Sequence, residues 1–153
     1  MAIPNIFKSE VKDSIISRIN SLTPESVAQW GKMNVAQMLA HCGVTYEMIY
    51  EPAKHPKPNA FTRFILKAFV KKIVVREGEY KKSSQTAPAF LITDERDFEK
   101  EKSRLIAYIE QTFQLGEKHF DGKESHSFGV LNKTEWNNMF YKHLDHHLTQ
   151  FGA

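Results

Sequence analysis

Asn132-Lys133-Thr134-Glu135-Trp136-Asn137-Asn138-Met139-Phe140-Tyr141-Lys142-His143-Leu144-Asp145-His146-His147-Leu148-Thr149-Gln150 reads as one long helix, and the rest of the chain arranges itself around it. Asn132 followed three residues later by Glu135 has the form of a capping box. At ~100° per residue, Phe140, Leu144, His147, Leu148 and Phe151 share one face. His143 lies at the edge of that face, on the side of His147, because residues four apart stack along a helix. His146 and Lys142 point the other way, towards solvent.

The same punctuation runs backwards through the chain. Val11, Ile15, Ile16 and Ile19 recur at helical spacing between Ser9 and Asn20. Thr23-Pro24-Glu25 suggests a short helical turn ending near Trp30-Gly31. Asn34-Val35-Ala36-Gln37 is a second capping box and opens a helix to about Tyr50, stopped by Glu51-Pro52. Residues 60–76 form a third helical candidate. Residues 77–92, broken by Gly78 and Pro88, read as a loop. Thr93 or Asp94 can cap the next helix, whose Phe98, Leu105, Ile106, Ile109 and Phe113 make an apolar stripe ending at Gly116. Residues 116–131 read as a loop, and no strand alternation is visible. The expectation is an all-α chain, residues 1–153 as one domain: a four-helix bundle with a long crossover that carries an extra helix.

Composition agrees with a single packed domain. The 153 residues are 41% hydrophobic and 25% charged, with no apolar run long enough to cross a membrane. The N-terminus lacks a signal-peptide pattern, and the single cysteine, Cys42, suits a reducing compartment, so the expected location is cytoplasmic. Charge is uneven. From Arg63 to Lys82 there are seven Lys or Arg against two Glu, a balance of +5 in a chain whose net charge is +3. A basic apolar helix of this kind can lie on a membrane or on nucleic acid. Its ordinary use is to pack on its own bundle or on a second subunit. The expected partners are therefore a small-molecule substrate and a second copy, with neither nucleic acid nor membrane.

Function points to the histidines. Two imidazoles among leucine and phenylalanine need partners for their ring nitrogens, and a metal ion supplies one. His143 and His147 offer two ligands from one helix. His41, in Met38-Leu39-Ala40-His41-Cys42 and on one side with Gln37, Thr45 and Met48, is the third candidate. Imidazole suits zinc and nickel alike. Three histidines with an open position is the ligand pattern of catalytic zinc. Leu144 occupies the place of the glutamate in the His-Glu-x-x-His protease motif, so this helix supplies no carboxylate base. Cys42 reads as a small buried hydrophobe, with a thiolate ligand as the other use.

The segments Trp30-Gly31-Lys32-Met33-Asn34-Val35-Ala36-Gln37-Met38-Leu39-Ala40-His41-Cys42 and Tyr141-Lys142-His143-Leu144-Asp145-His146-His147-Leu148, with His126-Ser127-Phe128-Gly129, Glu135-Trp136 and Gln150-Phe151-Gly152, resemble the DinB/YfiT-like superfamily. More narrowly, they are similar to a bacterial branch of it described only as a domain of unknown function. The resemblance spans about residues 8 to 152. It implies a four-helix bundle with a divalent metal held by one histidine of the second helix and a His-x-x-x-His of the last, here His41, His143 and His147. It also implies chemistry of the kind found in characterised relatives, thiol S-transfer or thiol-dependent isomerisation. Ser127 after His126 departs from the proline of relatives. Tyr46, Tyr141 and His126 are acid or base candidates by residue type alone. A metal-dependent transferase or hydrolase and a non-catalytic, metal-braced binding module are the two functional expectations.

Overall fold

The computed structural model describes residues 2–153, and the chain is mostly helical. Four long helices carry the core: α1 (Ser9–Ser21), α2 (Val35–Tyr50), α5 (Phe98–Leu115) and α7 (Lys133–Gln150). Helix α2 packs against α5 and α7, and α1 packs against the same two. Between α2 and α5 the chain makes a crossover of α3 (Ala60–Ile65), a π-helical turn (Leu66–Val70) and α4 (Lys71–Val75), then a strap with a 3₁₀ turn at Pro88–Phe90. After α5 come a short α6 (Glu117–Phe120) and an antiparallel hairpin, β1 (Lys123–Ser125) with β2 (Gly129–Leu131).

The helix starts form where side chains replace missing backbone partners. Asn34 accepts from the Gln37 amide while the Gln37 side chain accepts from the Asn34 amide, and Asn132 and Glu135 repeat the exchange at α7. Each box satisfies two backbone donors that a helix leaves unpaired. The core between the helices is aromatic. Tyr46 of α2 stacks on Phe140 of α7 and on Tyr108 of α5, at 5.3 and 5.8 Å between centroids. Phe120 and Trp136 close the column below Phe140. Tyr46, Phe120, Trp136 and Phe140, with Ile15, Ile19, Met38, Leu39, Leu105 and Leu144, are almost wholly buried. A side chain of this size contributes about 1.5–3 kcal/mol when fully buried.

Several expectations need correction. Residues 23–31 form turns and bends, not a helical turn; Gln29 instead donates its amide to the Gln150 carbonyl, tying the segment to the end of α7. Helix α5 starts at Phe98 with Asp97 as its cap, because the Asp97 carboxylate reaches the Lys100 amide, whereas Asp94 is taken by Arg96. The region 116–131 holds α6 and the hairpin, whose strands are three residues each and too short to show alternation. Lys142, expected in solvent, is buried at 7% exposure. Its ammonium donates to the carbonyls of Ile73, Val74 and Arg76, at 2.8 to 3.3 Å. These are the orphan carbonyls at the C-terminal end of α4, so Lys142 and Asn138, which donates to the Val75 carbonyl, clasp the crossover onto α7.

Candidate metal centre

His41 of α2 and His143 and His147 of α7 meet where the two helices face each other. Their ring centroids form a nearly equilateral triangle, 4.5 to 4.9 Å on a side. One nitrogen from each ring lies within 4.8 Å of the other two, and no carboxylate or thiolate joins the cluster among the described residues. His41 and His147 are buried, at 5% and 8% exposure, and His143 is part-exposed.

The partners of the other nitrogens decide which tautomers are present. His41 Nδ1 lies 2.7 Å from the Phe90 carbonyl, which can only accept, so Nδ1 carries the proton and Nε2 a lone pair. Gln150 Nε2 donates to the Trp30 carbonyl at 2.7 Å, which turns Gln150 Oε1 towards His147 Nδ1, also at 2.7 Å. His147 Nδ1 must therefore donate, and its Nε2 is again a lone pair. His143 Nδ1 meets the Thr45 hydroxyl at 3.2 Å, a group able to donate or accept. His143 Nε2 and His41 Nε2 are 2.9 Å apart.

A fixed lone pair on His41 thus meets His143 Nε2, the His147 ring completes the triangle with its own, and burial favours the neutral rings. Desolvation lowers the pKa of all three, that of His147 to about 3, with neighbouring imidazoles adding to the effect at His143 and His147. Without a cation, a single proton on His143 Nε2 can bridge to His41, and the His147 lone pair is left over. A cation satisfies all three at once. Nitrogens ~2.0–2.1 Å from a tetrahedral ion lie roughly 3.3–3.4 Å apart, a spacing between the closest pair and the full span of the cluster. The residues fit the group.

Around the three rings, the site is held by residues to which sequence reading gave no role. Gln150 lies one turn beyond His147, a helical spacing that could have flagged it. Gly31 permits its contact with Trp30: φ there is +83°, and an added Cβ would stand 2.7 Å from Gln150 Nε2. Phe90 sets its ring edge-on to His41 and His143. Nothing local in the sequence marks it, because its partners are 49 and more positions away. His146, expected in solvent, is instead half-buried beneath the rings of Trp30 and Tyr80.

The remaining candidates lie elsewhere. Tyr46 is sealed in the aromatic column. Tyr141 is half-buried among core residues, and burial raises its pKa. His126 Nε2 bonds the carbonyls of His55 and Pro56, pinning the hairpin turn to the start of the crossover. Cys42 is buried beside Met38, and desolvation pushes its thiol pKa up, as for an inert core thiol. A cleft of about 550 Å³, whose lining includes none of the three histidines, is bounded by Val44, Glu47, His55, Leu91, Glu101 and Arg104.

No helix among the described residues is long and apolar enough to cross a membrane. No curated protein and no solved structure matches the chain. A family model does, over residues 7–153, taking in both helices that open on a capping box and all three histidines. The chain belongs to the family described as protein of unknown function, DUF1569.

Proposed function

We propose that the chain is a metal-dependent enzyme of the DinB/YfiT-like four-helix-bundle type, holding one divalent transition-metal ion, zinc or nickel, on Nε2 of His41, His143 and His147. The observation that carries this reading is the pair of fixed tautomers. Phe90 and Gln150 each hold an Nδ1 proton, so Nε2 of both His41 and His147 carries a lone pair, within a cluster of three neighbouring imidazoles. A divalent ion supplies Lewis acidity, lowering the pKa of a thiol or water that binds it. The protein's own part is to exclude water with Phe90, to fix the ring planes through Thr45, Gln150 and Phe90, and to keep the imidazoles unprotonated by burial. The reaction class is thiol S-transfer or hydrolysis on a small molecule.

Elemental mass spectrometry on the purified chain tests the centre. About one zinc or nickel per chain is expected, lost in His143→Ala and in His147→Ala while both variants keep their helix content. Stoichiometric metal in either variant would sink the assignment.

One observation favours a second reading, in which the ion only braces the fold. Phe90 lies against two of the three rings, and Trp30 and Tyr80 cover the neighbouring His146. A brace predicts a large fall in melting temperature on chelation and no binding of small thiols to the loaded protein. An enzyme predicts that a thiol perturbs the absorption spectrum of the cobalt-substituted protein.

A further inference from the structure

Among the described residues, the crossover from Ala60 to Val75 is the one long helical run with no buried residue. Phe61, Phe64 and Phe69 are 75%, 66% and 68% exposed, and Ile65 and Ile73 are also exposed. The sequence leads one to expect this apolar side against the bundle; in the structure it faces outward.

The orientation is fixed from the inner side. Arg63 pairs with Glu124 and Lys71 with Glu135. Asn138 and Lys142 hold the carbonyls at the C-terminal end. Every one of these links points to the body of the protein, and together they leave the aromatic side outermost.

The π turn straightens that side. In an α-helix, residues four apart drift by ~40° per step, so Phe61, Ile65, Phe69 and Ile73 would spiral away from one line. A π turn takes an extra residue into its hydrogen-bonded loop, and the one at Leu66–Val70 opposes the drift. Lys67, Lys72 and Arg76 are exposed on the same run and form no ion pair among the described residues. The Lys67 ammonium end lies over Gly129 of the hairpin and the Arg76 guanidinium near Lys142, which leaves Lys72 as the cation without such a contact there.

We infer that this face docks the protein on an anionic lipid surface, with the phenylalanines entering the interface and Lys72, helped by the exposed Lys67 and Arg76 at its margins, meeting the headgroups. Apolar rings alternating with cations on a helix too short and too charged to span a bilayer is the composition of an interfacial helix. Charge argues against a second copy in the same place. Arg63 and Lys71 are neutralised by their inward pairs. No acidic residue lies between Ala60 and Arg76 to offset the unpaired Lys67, Lys72 and Arg76, so a two-fold contact through this face sets like charges together. Area argues the same way. Sixteen residues make a helix ~24 Å long and ~10 Å wide, well short of the ~800 Å² per partner of a stable interface. Insertion into lipid has no such minimum.

Co-sedimentation of the full chain with phosphatidylglycerol–phosphatidylcholine vesicles, beside phosphatidylcholine alone, tests the inference. Binding is expected only to the anionic vesicles and should weaken with added salt. The variant Phe61→Ser/Phe64→Ser/Phe69→Ser should bind about tenfold more weakly with unchanged melting, because none of the three rings is buried. Lys67→Gln/Lys72→Gln should weaken binding too. Absence of binding to anionic vesicles, or equal binding by the triple serine variant, would overturn it. A dimer in sedimentation equilibrium that the serine variant converts to monomer would assign the face to a second copy instead. Binding of a duplex oligonucleotide without vesicle binding would assign it to nucleic acid.

Discussion

Two aromatic surfaces lie on opposite sides of α7, and they obey different rules. The inner one, where α7 meets α2, buries Tyr46, Phe140 and Trp136 in a stacked column and ends at three histidines whose outer nitrogens are all partnered. The outer one, the crossover, exposes three phenylalanines and is attached to α7 by hydrogen bonds to its backbone. Inside, aromatic side chains carry the stability; outside, the same residue type carries none of it and polar clasps hold the element in place. Residue type alone therefore does not reveal what an aromatic residue is for; its neighbours do.

The widest separation should appear in a pair of truncations. Phe140→Ala removes a ring that touches Tyr46, Phe120 and Trp136, and is expected to cost about 3–5 kcal/mol in urea unfolding. Phe69→Ala should stay within about 0.5 kcal/mol. Comparable losses would break the contrast.

The clasp comes next. Burial, reinforced by the nearby Arg76 guanidinium, lowers the Lys142 pKa to about 8, yet three carbonyls still receive its ammonium. Lys142→Met keeps the stem and removes the donors. Hydrogen bonds to charged groups are worth about 1.5–3 kcal/mol, and that loss should appear as faster amide exchange confined to residues 71–76. Uniformly faster exchange would mean that Lys142 supports the whole core rather than the crossover.

The contrast also explains what could be read from sequence. The caps at Asn34 and Asn132 and the shared face of His143 and His147 depend on partners within four residues or on a 3.6-residue period, and both are present. His41, chosen for its uncharged helix and by resemblance, lies in one cluster with them. Lys142 and His146 did not. Angular position put them opposite the core, but the crossover and the loop after it cover that side, and nothing in the period of α7 announces them. The hairpin was hidden by strands of three residues. The π turn has no sequence signature at all, since its neighbours are ordinary helix formers.

A smaller effect should separate the ligands from their supports. Gly31→Ala places a Cβ against the Gln150 amide and forces a positive φ on a side chain. Without Gln150 in place, His147 loses the acceptor that fixes its tautomer. Loss of such a partner typically lowers metal affinity about 10–100-fold. Competition with a chromophoric chelator should show this for Gly31→Ala and Gln150→Leu alike, while both stay folded. Unchanged affinity in both would leave the tautomer argument without support.

The smallest effect tests whether the charged cleft beside the strap behaves as a third kind of surface, neither apolar column nor exposed stripe. Burial pushes the Glu47 pKa up, but hydrogen bonds from Arg104, Lys54 and His55 outweigh it and hold the carboxyl below its ordinary value. A carboxylate depressed in the folded state stabilises the protein above its unfolded pKa of about 4.3 and loses that contribution as pH falls through the lower, folded value. Arg104 stays charged throughout and keeps Glu101 and Glu51 as its carboxylate partners, with the Tyr108 hydroxyl beside them, once Glu47 is protonated. The stability difference between the wild-type chain and Glu47→Gln should therefore be constant near neutral pH and narrow below the ordinary glutamate range. It should also shrink in high salt, because the cleft is open to solvent. Stability curves that run parallel down to acid pH would mean that the Arg104 network contributes shape to the cleft but no net pairing energy, and the cleft would then belong with the exposed surface.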